Sequence, residues 1–428
     1  MTLRHGIRHN RGQFIHQLVQ VMLVGLTIGM TRTVVPALAE SEFGVPEGSF
    51  LMLVSFVVAF GVVKGGMNFV AGRLSERLGR QRVLLIGWLV ALPIPLLIWH
   101  APGWSWIVAA TVLLGINQGL TWSMTQTAKL DISHQDERGL SIGLNEFSGY
   151  LGVAIAGIVT AYLATLLGPR SGLLLFGLVV IVLALLLSHY WVRDTLAWAH
   201  AEATEQAQAS SNRSRQPAYS TAISSNPSTA EVFALVSWRD RRLAAISQAG
   251  LVEKFVDALV WVMYPVFLYQ KGLSLPMIGW VIGVYGFFWG GSQLITGPLS
   301  DRIGRHQLNV WGMWLCGAGV ALMLPFEGVL WWSLAAGLSG FGMAMLYPNL
   351  SAAVADLSHP NWRGSAIGIY RFWRDLGYAI GALGLGLAAH FTGTVEAAFW
   401  FVAGSMFISG LLLWWLAEES HPALYAEG

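Results

Sequence analysis

Nine ionisable side chains stand inside stretches that are otherwise apolar: Arg32, Lys64, Glu146, Glu253, Lys254, Asp257, Arg371, Arg374 and Asp375. A charge at mid-bilayer costs about 2.5–3.5 kcal/mol on insertion scales, so each needs a reason to be there. Five are cations and four are anions, a near balance that points to mutual pairing in a wet cavity. Two chemistries suit the set. A carboxylate of Asp257, Glu253 or Glu146 could bind a proton in exchange for a solute, with a neighbouring cation tuning it. A guanidinium of Arg32 or Arg371 could hold an anionic group in bidentate fashion. Static ion pairs between helices, or side chains snorkelling to headgroups, would explain the same residues without function.

Such residues need apolar helices to hold them, and the composition supplies little else. Of 428 residues, 55% are hydrophobic and only 11% are Asp, Glu, Lys or Arg, with 20 Trp, 20 Phe and 49 Gly. Soluble domains carry about 25% charged residues. A soluble enzyme, a nucleic-acid binder and a disordered chain are thereby excluded, and a net charge of +2 suggests no polyanionic partner. The single Cys316 leaves no disulfide framework and no Cys-based metal site. No cofactor and no metal are expected.

A spanning helix needs about 20 mostly apolar residues, and twelve such segments are predicted. The fold class is therefore all-α integral membrane. The expected organisation is a tail over 1–13, a six-helix bundle over 14–196, a linker over 197–238, a second six-helix bundle over 239–418 and a tail over 419–428. With both termini in the cytosol, 18 of the 25 Lys and Arg fall on the cytosolic side and only Arg170 and Lys271 fall outside. That asymmetry follows the positive-inside rule and suits a multi-pass protein of the inner or plasma membrane. Met1 to Gly12 is basic and lacks a small-residue cleavage site, so it is expected to be a tail, not a signal peptide. The linker is Ser-, Ala- and Gln-rich, and Ser228 with Glu231 forms a capping-box pattern at its end.

The chain repeats itself. Gly72-Arg-Leu-Ser-Glu-Arg-Leu-Gly-Arg80 returns as Gly297-Pro-Leu-Ser-Asp-Arg-Ile-Gly-Arg305, and Asp131-Ile-Ser-His returns as Asp356-Leu-Ser-His, both 225 positions on. In each half the second motif runs on to Arg138-Gly or Arg363-Gly. Two motifs at one offset imply two parallel halves, a repeat pattern of secondary transporters. The same offset relates Asp257 to Arg32 and Arg371 to Glu146, placing opposite charges at symmetry-related positions twice. From helix depth, Arg32 with Asp257 is expected to form an outer layer, and Lys64 with Glu146 and Arg371 an inner one.

On the Gly-x-Leu-x-Asp/Glu-Arg-x-Gly-Arg loops, the sequence resembles the major facilitator superfamily, and its drug:proton antiporter-like branch in particular. The resemblance implies two pseudo-symmetric bundles of six transmembrane helices rocking about a central cavity. In this family the loop network latches the cytosolic side. Here it would comprise Gly72, Glu76, Arg77, Gly79, Arg80, Gly297, Asp301, Arg302, Gly304 and Arg305, with Arg138 and Arg363. Glu76 and Asp301 could meet a helix N-terminus, and the arginines could bind headgroups or pair across the interface. Setting topology alone would explain these charges but not the glycines or the acid. The resemblance also brings spans four and ten to the cavity, adding Gln118, Trp122, Tyr347 and Asn349 to the solute or proton site, although each could equally be helix-packing glue. Gly377-x-x-x-Gly381 is expected to allow close helix packing.

Two departures bear on function. Drug:proton antiporters of this superfamily usually carry an Arg three residues before a Gln-Gly pair in span four, where Gly115 precedes Gln118-Gly119 here. Their Gly-Pro-x-x-Gly-Gly kink is replaced by Gly152-Val-Ala-Ile-Ala-Gly157. The function expected is secondary transport of a small solute by alternating access, coupled to protons, with efflux of an amphipathic or anionic compound favoured. Uptake of a small anionic or metal-chelate solute is the alternative, and a channel or a non-transporting sensor is more remote. No Gly-Lys pair exists to build a P-loop, so a primary pump is excluded. Scattered His residues argue against a membrane enzyme. A monomer whose partners are the bilayer, a solute and protons, and not nucleic acid, is expected.

Overall fold

The computed structural model describes residues 3–134, 137–199, 201, 228–358 and 363–420. Among them no strand occurs, and twelve long helices carry the chain back and forth. The first six are α1 (Arg11–Gly29), α2 (Phe50–Leu78), α3 (Arg80–Ala91, continued as Pro93–His100), α4 (Trp104–Ile132), α5 (Arg138–Leu167) and α6 (Pro169–Tyr190). The second six are α7 (Arg241–Gln270), α8 (Leu275–Ile303), α9 (Arg305–Ala321), α10 (Val329–Asp356), α11 (Arg363–Thr392) and α12 (Glu396–Leu416). The break in α3 falls where Pro93 removes a helical donor. Helices are the expected solution because backbone groups find no partners in lipid.

Nine of these described helices are long and apolar enough to cross a membrane by that measure alone. The other three have identifiable reasons. α9 is 17 residues long, while α7 and α11 carry six of the nine core charges between them. Their ionic side chains are hidden from the surroundings: Arg32, Glu146, Glu253, Lys254, Asp257, Arg374 and Asp375 are all buried. Large apolar side chains such as Leu166, Ile295, Leu330, Phe391 and Trp415 face outward. Charge inside and hydrocarbon outside is the arrangement a bilayer demands.

Within the first bundle α1 packs on α5 and α2 on α4; in the second, α7 packs on α11 and α8 on α10. The bundles meet along two seams, α2 with α11 and α5 with α8. The 225-residue offset exchanges one seam for the other, as a pseudo-two-fold axis between bundles requires. Inside the second bundle small residues permit the packing of α11 on α7: Gly377 and Gly381 lie so close to Leu251 and Phe255 that a Cβ would overlap them. The turns α2–α3 and α8–α9 lie on one side of the molecule with the ends of α4 and α10, here termed the motif face. Residues 202–227, the centre of the expected linker, lie outside the described residues. Beyond them the Ser228–Glu231 capping box is formed and opens a short helix, Thr229–Ala234.

Candidate functional site

The core charges gather between the two bundles. Arg32, just beyond the end of α1, holds Asp257 of α7 with both terminal nitrogens, Nη2 at 3.1 Å from Oδ2. Tyr378 of α11 donates its hydroxyl to the same carboxylate, and Lys254 stands 3.8 Å away. Trp261 lies under the Arg32 guanidinium at 5.0 Å and packs edge-on against Phe56 and Phe60 of α2. A bidentate pair so enclosed is geometrically specified and costly to break on one side only.

The expected inner layer of Lys64, Glu146 and Arg371 does not form. Lys64 reaches across the seam to Asp375 at 3.8 Å, a carboxylate that also accepts from Asn68. Glu253 is paired with Lys254 at 3.5 Å and with Arg374 at 3.4 Å. Glu146 turns into the first bundle, where Oε1 accepts from Trp122 Nε1 at 3.0 Å and Asn145 Nδ2 at 2.8 Å. Arg371 instead donates to Gln126 Oε1 across the interface at 2.7 Å. Symmetry mates touch only when both lie near the pseudo-axis. Arg32 and Asp257 do, whereas Glu146 bonds inside its own bundle and Arg371 reaches Gln126 instead.

A cavity opens among these groups, walled by Arg32, Lys64, Arg371, Arg374 and Asp375 together with the rings of Trp122, Tyr150, Tyr347 and Tyr378. Its free volume is about 10 Å³, the threshold for holding one water. Tyr150 stacks on Trp289 of the opposite bundle at 3.6 Å, and Arg374 lies 3.6 Å over the Tyr347 ring. Glu146, Glu253 and Asp257 sit behind this wall. Gln118 and Asn349 do not reach it. Gln118 bonds Val24 O and Thr27 inside its own bundle, and Asn349 bonds Met345 O of its own helix. Packing, not cavity lining, is the role that their contacts define.

One cation in the wall stands apart. Arg32, Lys64, Lys254 and Arg374 each have a carboxylate within 4 Å, but Arg371, half-buried, has none among the described residues. One basic residue escaped sequence reasoning altogether. Lys129 near the end of α4 resembles a topology-setting charge, yet it is only 1% exposed and its Nζ donates to Gln17 O at 3.1 Å.

The loop motifs act within each bundle. Arg80 bonds Asp131 at 2.9 Å and the Ser75 carbonyl at 3.1 Å. Its mate Arg305 bonds Asp356 at 2.5 Å and Ser300 at 3.2 Å. Neither headgroup binding nor pairing across the interface, the two roles expected of these arginines, is what Arg80 and Arg305 do here: each pairs inside its own half, while Arg77 and Arg302 are exposed. The side chains of Glu76, Asp301, Arg138 and Arg363, and the surroundings of Gly72, lie outside the described residues. The N-termini of α3 and α9 are met by other carboxylates. Asp194 accepts from Gln81 N at 3.1 Å, and Glu419 accepts from Arg305 N and His306 N at 3.0 Å each. These acids are themselves 225 positions apart, a third repeat that their unlike neighbours conceal. Gly79 and Gly304 are needed at these turns twice over: φ is +87° and +97°, and a Cβ would strike Asp194 or Glu419.

Two pseudo-symmetric six-helix bundles around a central charged cavity define a polytopic transport protein. A sequence profile of the Major Facilitator Superfamily matches residues 18–252 and 246–427, and the chain belongs to that family of transporters. It is 26% identical to a probable 4-methylmuconolactone transporter of Cupriavidus pinatubonensis, over 94% of this chain and 86% of that one. It is 24% identical to the proton-coupled antiporter flippase LtaA of Staphylococcus saprophyticus, over 91% of this chain and 90% of that one. The crystal structure of a D-xylose-proton symporter superposes with a TM-score of 0.71 at 16% identity, covering 95% of this chain and 99% of that one.

Proposed function

We propose that the protein carries a small amphipathic organic anion across the membrane by alternating access, coupled to proton movement, with the motif face in the cytosol. The observation that carries this proposal is Arg371: a cavity-lining guanidinium with no carboxylate partner among the described residues. The other cations of the wall, Arg32, Lys64 and Arg374, each have a carboxylate within 4 Å, so Arg371 is the wall cation left for a solute to match. The planar fork of Arg suits a carboxylate or a related oxyanion. Trp122, Tyr150, Tyr347 and Tyr378 around it supply faces for an apolar or aromatic body. A neutral lipophile would leave that charge unmatched, which disfavours a purely hydrophobic drug. The relative named for 4-methylmuconolactone supports a small organic solute, and the one named proton-coupled supports the coupling.

The test is flux into proteoliposomes under pH gradients of either sign, reported by labelled solute and a lumenal pH dye. Aromatic and aliphatic carboxylates are compared with their neutral amides. Carboxylates are expected to move with the gradient and amides not to, with Arg371→Gln removing the preference. Equal flux of amide and acid, or carboxylate flux blind to pH, would overturn the proposal.

A further inference from the structure

Four carboxylates lie in the core, and they differ in what neutralising each would leave behind. Protonating Asp257 strands Arg32, protonating Asp375 strands Lys64, and protonating Glu253 takes the nearest carboxylate from Lys254 and Arg374, leaving them to share Asp257 with Arg32 and Asp375 with Lys64. A buried charge deprived of its partner is strongly destabilising. Glu146 alone of the four has no cation within 4 Å among the described residues, so its neutralisation takes a partner from none. It is fully buried, and among the described residues its Oε1 accepts only from the neutral donors Trp122 and Asn145 and its Oε2 has no partner.

We propose that Glu146 is the group that takes up and returns the coupling proton. This rests on the proton-coupled function proposed above and names its carrier. Trp122 connects the carboxyl to the solute. Its indole N–H is bonded to Oε1, while its ring walls the cavity, lies 5.8 Å from Lys64 Nζ and meets Tyr150 at 5.5 Å. A solute that displaces this ring therefore alters the donors on the carboxyl.

The surroundings of Glu146 hold few other ionisable groups. Tyr150 of α5 and Tyr347 of α10 share its field, and Asp131 of α4 is engaged by Arg80. The helices packed against α5 contribute little: α1 has no ionisable side chain between His16 and Arg32, α6 has none between Arg170 and His189, and α8 has only Tyr285 before Asp301.

Infrared difference spectroscopy of the full chain in lipid, titrated with pH and with no solute present, tests this directly. A protonated-carboxyl band that titrates should vanish in Glu146→Gln. Trp122→Phe should shift its frequency by removing a donor. No titrating band, or one unchanged in Glu146→Gln, overturns the assignment. In proteoliposomes, Glu146→Gln should lose gradient-driven carboxylate accumulation yet keep carboxylate exchange across equal pH. A wild type whose carboxylate flux ignores the gradient overturns proton coupling itself. A coupled wild type beside an equally coupled Glu146→Gln overturns this assignment alone.

Discussion

The two bundles are copies of one plan, but they solve the problem of buried polarity differently. The second carries Glu253, Lys254, Asp257, Arg374 and Asp375 in a continuous ionic web, every acid held by a cation. The first relies on neutral donors. Gln118 bonds Thr27 and Asn117, Gln20 accepts from Trp88 and donates to Ala184 O, and Glu146 and Lys129 each stand without a direct counter-ion. An ionic web specifies geometry and resists titration, because changing one charge costs all of its neighbours. A neutral network around one acid leaves that acid free to change state. Duplication followed by unequal charging thus separates a rigid half from a titratable half around one cavity.

The largest effect that sharpens this contrast should come from Asp257→Ala. It strands Arg32 in the core and should lower stability by about 3–5 kcal/mol, read as a fall in apparent Tm in detergent. Glu146→Gln should stay close to wild type in the same assay, and equal losses would erase the distinction between the bundles. Next comes Arg371→Gln, which should weaken binding of a transported carboxylate by about 1.5–3 kcal/mol, the range for hydrogen bonds to charged groups. Its Tm should change little, since no ion pair is lost. Trp122→Phe should cost about 0.5–1.5 kcal/mol of stability through one lost hydrogen bond, with proton coupling weakened. The smallest effects belong to Asp194→Ala and Glu419→Ala. Each removes a carboxylate from a helix start, about 0.3–1 kcal/mol, and the two should match because their sites are equivalent by the repeat. A drop in only one would show that the motif turns are not equivalent.

Much of the fold was legible because it rests on coarse quantities. Apolar run length located most spans, and a single offset of 225 defined two parallel halves. The Arg32–Asp257 contact was legible for a narrower reason: mates of opposite sign near the pseudo-axis face one another. The same logic misplaced Glu146 and Arg371, because offset arithmetic carries no information on distance from the axis. Lys129 was overlooked since a lysine three residues from a helix end has the same sequence appearance whether it snorkels or is buried. Asp194 and Glu419 differ in side-chain length and in their flanks, so only the offset could have revealed them. Gln118 and Asn349 show the opposite failure, in which polar residues on the expected helices point away from the cavity.

The central claim is that the cavity selects an anion through Arg371, and Trp122 and Trp289 provide a built-in reporter. Tryptophan fluorescence of the purified protein, titrated with an aromatic carboxylate and separately with its amide, measures that selection without transport. Saturable quenching by the carboxylate, at least about tenfold weaker for the amide and lost in Arg371→Gln, is the predicted result. Equal affinity for acid and amide, unaffected by Arg371→Gln, would contradict it.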